Sequence, residues 1–341
     1  MAPSVRGVAV NREEARDGPG EGRQGQEAQD GLDLAASGRI SVADAGQIGA
    51  GIVRAAGCAK AVRKGVPTQR DAEDRRMKRM EDLTYCVSYL AAERFGAKKA
   101  RETVATLEGD EHALFEAYRT LANVREPMPA TDKFFAAQDR MLQGLIAEAG
   151  ILDASTLSRT PLDGRLSFWR GDITTLAADV VVNAANSRLL GCWVPGHHCI
   201  DNAIHTYAGI QLRAECARIM RTQGRPEPTG QAKMTEAYNL PAKWIAHTVG
   251  PIANGSPDDE DRALLASCYE SCMDAALKAG ATNIAFCCIG TGIFGFPQEE
   301  AAKIAVRTVR RWLDESESDI QVVFDVFLES DERIYRDILF S

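Results

Sequence analysis

Ile284-Ala-Phe-Cys-Cys-Ile289 runs into Gly290-Thr-Gly-Ile-Phe-Gly-Phe-Pro297 and then into the helical stretch 298–313. In one short span the chain spells an apolar strand, a glycine-rich turn and a helix with proline at its opening. The same grammar recurs on both sides. Residues 166–169 form a strand; Val180-Val-Val182 closes on Asn183-Ala-Ala-Asn186, and Trp244-Ile-Ala-His-Thr-Val249 closes on Gly250-Pro251. Ile320-Gln-Val-Val-Phe-Asp-Val-Phe327 is the last strand, and helical stretches over 200–223 and 261–279 lie between. Strands alternating with helices predict an α/β sheet covered on both faces. Ligands of such sheets bind beyond the carboxyl ends of strands. Most of the polar and glycine-rich clusters fall there, so they should converge on one cleft.

The rest of the 341-residue chain has a different texture. Residues 1–80 contain no Phe, Trp or Tyr, hold 12 of the 29 glycines, and carry 14 basic against 11 acidic residues. With so little bulky apolar surface to bury, residues 1–75 are expected to be mostly disordered, apart from a short helix around Ile40 to Val53 capped by Ser41. From Asp71 to Gly150 the pattern is helical. Met77, Met80, Leu83, Val87 and Leu90 recur at helical spacing up to Gly96. Leu114, Phe115, Tyr118 and Leu121 form a second set, and Thr131 caps a third that runs to Gly150. The domain reading is therefore 1–75 disordered, 76–155 a helical extension packing on the core, and 156–341 the α/β domain.

Bulk properties narrow the function. A net charge of −8 argues against a general binder of nucleic-acid backbones. No apolar run reaches membrane-spanning length and no secretory leader is visible, which predicts a cytoplasmic protein, organelle import remaining open. Nine cysteines in that setting read as reduced thiols or metal ligands. Two of the nine sit with a histidine: Cys192, His197 and Cys199 make a C-x4-H-x-C set in a Gly/Pro-containing loop, a soft donor set suited to zinc with a fourth position open. Spacing alone fits a metal-free loop equally well, and His198 and His205 compete for the histidine role. Gly290 to Phe294 can cradle an anion on successive backbone N–H groups, although a glycine-rich turn without ligand has the same sequence. Asp172, after Arg170-Gly171, reads alone as a turn or cap residue. Asn183 and Asn186 offer amides to sugar hydroxyls or simply form a turn. Cys268, Cys272, Cys287 and Cys288 read as small buried hydrophobes; Cys58, Cys86 and Cys216 carry no signal.

Taken in order, Gly171-Asp-Ile-Thr174, Val182-Asn-Ala-Ala-Asn-Ser187, Gly191-Cys-x4-His-x-Cys-Ile-Asp-Asn202, Ile204-His-Thr206 and Gly290-Thr-Gly-Ile-Phe-Gly-Phe-Pro297 resemble a macrodomain. The Cys–His insertion resembles the zinc-containing branch, the protein-ADP-ribose hydrolases often found beside sirtuin genes in microbes. The resemblance spans roughly residues 112–341. It implies a three-layer α-β-α macrodomain with a mixed central sheet, preceded by the helical extension, that hydrolyses mono-ADP-ribose from protein side chains, most simply carboxylates. It implies that Asp172 and the Ile173 backbone take the adenine edge and Phe327 its face. Gly290, Thr291, Gly292, Ile293 and Phe294 would wrap the diphosphate, with Phe294 against the distal ribose. Asn186 and Asp201 would act catalytically at that ribose, flanked by Cys199 and Ile200, and Cys192, His197 and Cys199 would hold one Zn2+ per chain. The expected partners are ADP-ribose and an ADP-ribosylated protein, with no nucleic acid or membrane. The alternatives are a non-catalytic ADP-ribose reader and a hydrolase of O-acetyl-ADP-ribose. One departure stands out: the family usually has Ser where this chain has Gly290.

Overall fold

A computed structural model describes residues 69–341. The expected helix at 40–53, Cys58 and nearly all of the segment read as disordered lie outside these residues. The extension comprises α1 (Gln69–Phe95), α2 (Ala97–Thr106), α3 (Glu111–Asn123) and α4 (Asp132–Ala149). The breaks between them are chemical. Gly96 at φ +85° ends α1, the Asp110 side chain accepts the Ala113 N–H to start α3, and Thr131 accepts the Phe134 N–H to start α4. Helix α2 carries one large apolar side chain, Val104, too few to mark it as a separate helix within the helical stretch 71–150. The apolar stripes meet in a core of Leu83, Val87, Leu90, Leu114, Tyr118, Phe134, Met141 and Leu142.

The remaining strands and helices follow as β1 (Leu152–Asp153), β2 (Leu166–Arg170), β3 (Leu176–Ala177), β4 (Val180–Ala185), α5 (Ile200–Ala208), α6 (Ile210–Gln223), β5 (Ala232–Glu236), β6 (Trp244–Val249), α7 (Asp259–Lys278), β7 (Asn283–Phe286), α8 (Gln298–Glu315), β8 (Gln321–Val326) and α9 (Glu329–Leu339). Six strands form one sheet in the order β2-β8-β7-β4-β6-β5. All neighbours are parallel except β5, which runs antiparallel to β6 and makes the sheet mixed. Strands β1 and β3 pair separately. Helices α7, α8 and α9 pack together on one face; α5 packs on β4 and α6 on β5 on the other. Buried runs such as Val180-Val-Val182 and Ile284-Ala-Phe286 fit strands enclosed on both faces.

Three expectations need correcting. The single helix predicted over 200–223 is two helices, because Gly209 sits at φ +100° and breaks the ladder. The last strand stops at Val326, leaving Phe327 just beyond it, 65% exposed. Likewise β7 ends at Phe286, so Cys287 and Cys288 belong to the turn that follows.

The extension seats on the α5–α6 side. Ile210 completes its apolar core, and the rings of Phe115 and Tyr207 approach to 5.7 Å. Buried Gln138 accepts hydrogen bonds from Tyr118 Oη (3.0 Å) and from the Ile210 N–H (3.0 Å). That second bond satisfies an amide that the first turn of α6 leaves without an intrahelical partner.

Candidate functional site

Strand β4 delivers Asn183 and ends just before Asn186; the loop that follows leads into α5. Asp201 lies in the first turn of α5, 5% exposed. Both of its oxygens are fixed: Asn183 Nδ2 donates to Oδ1 at 2.8 Å and Asn186 Nδ2 to Oδ2 at 3.3 Å. Asn186 also donates to the Gly191 carbonyl at 3.0 Å, tying β4 to the start of the cysteine loop. His205, one turn further along α5, places Nε2 3.6 Å from Asp201 Oδ1. Burial lifts the Asp201 carboxyl to about 7, against the lowering influence of the Asn183 hydrogen bond.

Cys192, His197 and Cys199 bring one sulfur, one ring nitrogen and a second sulfur to within 4.8 Å of one another. Cys192 Sγ lies 3.4 Å from His197 Nδ1. Ligands about 2.3 and 2.0 Å from a tetrahedral zinc are separated by roughly 3.5 Å, so this spacing fits the ion. The donor chemistry fits as well. A hydrogen bond from Cys199 is foremost in bringing the Cys192 thiol down to about 5, while the same contact raises Cys199. The pair thus accepts one negative charge readily and resists a second unless a cation arrives. Cys199 also caps α5, its sulfur accepting the Asn202 N–H at 3.4 Å, where the helix N-terminus favours a thiolate. Of the rival histidines, His198 turns its Nδ1 to Arg119 at 3.1 Å, and His205 faces the core.

A second group, His205, Cys216 and His247, is similarly close but wholly buried. Asn183 donates to His247 Nδ1 at 3.1 Å, and the other ring nitrogen meets Thr235 Oγ1 at 3.0 Å. Nδ1 therefore accepts and Nε2–H donates, so both ring nitrogens are engaged, and burial lowers the ring to about 3. This neutral imidazole is a strut beneath Asn183. Gly191, at φ +78°, completes the packing: a Cβ there would lie 2.8 Å from the His205 ring.

The remaining predicted residues flank the same end of the sheet. Asp172 accepts from Thr174 N at 2.9 Å and from Thr174 Oγ1 at 2.7 Å, capping the short 3-10 turn Ile173–Thr175. The Gly171 N–H donates to the Val326 carbonyl, which sets Asp172 beside the exposed Phe327. In the glycine-rich turn, Phe296 N bonds the Gly290 carbonyl and Gly295 N bonds the Gly292 carbonyl. Among the described residues, the N–H groups of Thr291, Gly292, Ile293 and Phe294 take no backbone acceptor, leaving four successive donors for an anion. Ile293 is 82% exposed and Phe294 half-buried. Gly290 has φ +79°, a conformation that a serine would adopt only with strain, which gives the departure noted above a backbone reason. The sequence offered Asn183 only as a sugar-facing amide and His205 only as a rival metal ligand, and nothing local marked Arg119 or Arg213.

The macro domain family model matches residues 182–305, the stretch that carries Asn186, Asp201 and the amide-lined turn after β7. The chain belongs to the macro domain family. It is 50% identical over 225 residues to a protein-ADP-ribose hydrolase of Treponema medium, covering 65% of this chain and 85% of that protein. It is 51% identical to one from Staphylococcus aureus strain MRSA252 over 226 residues, 66% and 84% of the two chains. A solved Trypanosoma brucei macrodomain in complex with ADP-ribose superimposes with a TM-score of 0.50 at 29% identity, covering 64% of this chain and 94% of that one. No helix among the described residues is long and apolar enough to cross a membrane.

Proposed function

We propose that this protein is a protein-ADP-ribose hydrolase that binds the ADP-ribose moiety of a modified protein across the strand ends and releases it with the help of zinc, acting on carboxylate-linked mono-ADP-ribose. Relatives at about half identity bear the hydrolase name, and the Trypanosoma relative binds ADP-ribose. The observation that carries the zinc-dependent reading is the adjacency of two functions in one loop–helix unit. Cys199 caps the helix whose first turn presents Asp201, while Asn186 reaches both Asp201 and the loop. A reader of ADP-ribose has no need of a buried, doubly oriented carboxyl beside a thiolate–imidazole triad.

Asp172 and the Ile173 backbone would receive the adenine edge, Phe327 would cover its face, and the 291–294 amides would hold the diphosphate. The distal ribose then lies between Phe294, Asn186 and Asp201, with Cys199 and Ile200 beside it. Cleavage breaks the bond from the anomeric carbon to the protein carboxylate, which leaves with the electron pair as positive charge builds on the sugar ring. Water supplies the new oxygen. Asp201, ionised and aligned by Asn183 and Asn186, accepts the water proton and stabilises the ring charge. Cys192, His197 and Cys199 would hold the zinc, which when bound supplies Lewis-acid polarisation of a sugar or water oxygen.

The test is metal analysis combined with ADP-ribose release from carboxylate-linked and serine-linked peptides, using wild type, Cys192→Ser and His197→Ala. The expected result is one zinc per chain, turnover on the carboxylate-linked peptide, and loss of metal and turnover in both variants with ADP-ribose affinity largely kept. Full activity of metal-free wild type would sink the zinc role. Tight binding without product release would make the protein a reader, and preference for O-acetyl-ADP-ribose would redirect the substrate.

A further inference from the structure

We infer that Arg119, from the helical extension, is a positioning residue for the Cys192–Cys199 loop: its guanidinium holds the three donors in ligand-ready geometry. This inference rests on the zinc reading above.

The loop has little structure of its own. Its backbone passes through Gly191 and Gly196 at positive φ, and His197 N donates to the Val194 carbonyl in a single turn. Metal donors nonetheless need tight placement, which outer groups usually provide. Arg119 lies on α3, is 7% exposed, and spreads its guanidinium over three partners. Nη2 donates to the His197 carbonyl at 2.6 Å, Nη1 lies 3.1 Å from His198 Nδ1, and Nε donates to Asn202 Oδ1 at 3.0 Å. A guanidinium has only donors, so His198 Nδ1 must accept and carry no proton. That bond holds the His198 ring against the extension and leaves His197 to face Cys192. Asn202 in turn gives its N–H to Cys199 Sγ. One side chain therefore fixes the backbone of the histidine donor, the ring of its neighbour, and the residue that caps the second sulfur.

A planar three-way fork is something lysine cannot reproduce. Arg119 touches no donor atom, and its effect passes through the loop. The extension is thus part of the site rather than a cover over distant apolar surface. Glu116, 3.7 Å from Nη1, is the nearby carboxylate on its own helix.

The experiment uses the full chain with Arg119→Met, Arg119→Lys and, as a control, Arg140→Met. Arg140 makes a bidentate pair with Asp82 inside the extension, away from the loop. Zinc affinity is read by competition with a chromophoric chelator, and geometry by the visible bands of the cobalt(II)-substituted protein. For Arg119→Met the zinc dissociation constant rises about 10–100-fold and the cobalt bands shift, while ADP-ribose affinity stays within a few-fold. Arg119→Lys is intermediate, and Arg140→Met matches wild type on both metal readouts even if its melting temperature drops. Wild-type zinc affinity and cobalt bands in Arg119→Met overturn the inference. Should that variant fail to fold, the same outcome in Arg119→Lys overturns it. Wild type that binds no zinc removes the parent reading together with this one, whereas zinc-binding wild type with indifferent Arg119 variants removes this one alone.

Discussion

Replacing Arg213 by methionine should loosen the extension before it disturbs the sheet. Its Nη1 sits among three carbonyls at the end of α3, those of Ala122 (3.1 Å), Asn123 (2.6 Å) and Arg125 (2.9 Å), and its guanidinium lies 4.7 Å from the Trp193 ring centroid. A cation suits the negative end of a helix dipole, and α3 lacks a basic residue in its own last turn. Nη1 carries two N–H groups, shared among these three carbonyls; two charge-assisted bonds at about 3 kcal/mol each give roughly 6 kcal/mol. Against this stands the cost of burying the charge, which lowers the guanidinium from 12.5 to about 10. At 1.36 kcal/mol per pH unit that offset is about 3 kcal/mol. The net loss in Arg213→Met is therefore about 3 kcal/mol, or roughly a hundredfold in a local opening equilibrium. Hydrogen exchange followed by mass spectrometry reads it directly: α3 amides should exchange about a hundredfold faster, while β7 and α7 amides keep their protection. Unchanged α3 exchange, or equal acceleration in β7, would refute the reasoning that this side chain clamps one helix.

Asp201→Asn places an amide where Asn183 and Asn186 both donate, and removes the proton acceptor; turnover should fall by about 10^2–10^4, with ADP-ribose binding by calorimetry within a few-fold of wild type. His247 should remain neutral, with its proton on Nε2, from pH 8 to below pH 5 in nitrogen-detected imidazole spectra of the folded protein. A depressed imidazole favours folding above the unfolded value near 6.5, and that contribution is lost as pH falls from 6.5 towards 3, amounting to about 5 kcal/mol in full; a His247 titration midpoint above 6 would contradict it. Gly191→Ala sets a methyl 2.8 Å from the His205 ring at a φ unfavourable for alanine, and should cost about 2 kcal/mol, read as a drop of roughly 5 °C in Tm.

Most of the sheet was legible because its strands are continuous apolar runs closed by polar or glycine punctuation, as in Val180 to Asn186. Strand β5, Ala-Lys-Met-Thr-Glu, is a half-exposed edge with one fully buried position and gives no such signal. Helix α9 was equally obscure, since seven of its eleven residues are charged or Ser; the packing of its apolar face on α8, β2 and β8 selects it. The break at Gly209 was missed because glycine inside a helical pattern is often tolerated. At the site, Cys192, His197 and Cys199 stand out by their spacing, which a metal-free loop would share, and Asp201 stands out only through the family resemblance. Arg119 and Arg213 do not, because each acts on partners about eighty or ninety positions away, and a surface arginine and a buried clamp look alike in one dimension.

The seam between α3 and the α5–α6 pair is stitched by groups with direction: Arg119 to Asn202, Thr206 to Asn123, Arg213 to the end of α3. Such a junction cannot drift one side at a time. A lineage that altered Asn202 would leave the buried Arg119 Nε without its acceptor, and one that altered Arg213 would take the cation from the Asn123 and Arg125 carbonyls. Across descendants of this chain, positions 119, 123, 202, 206 and 213 should therefore be inherited as a block, and a chimaera joining the extension of one relative to the core of another should succeed only when all five travel together.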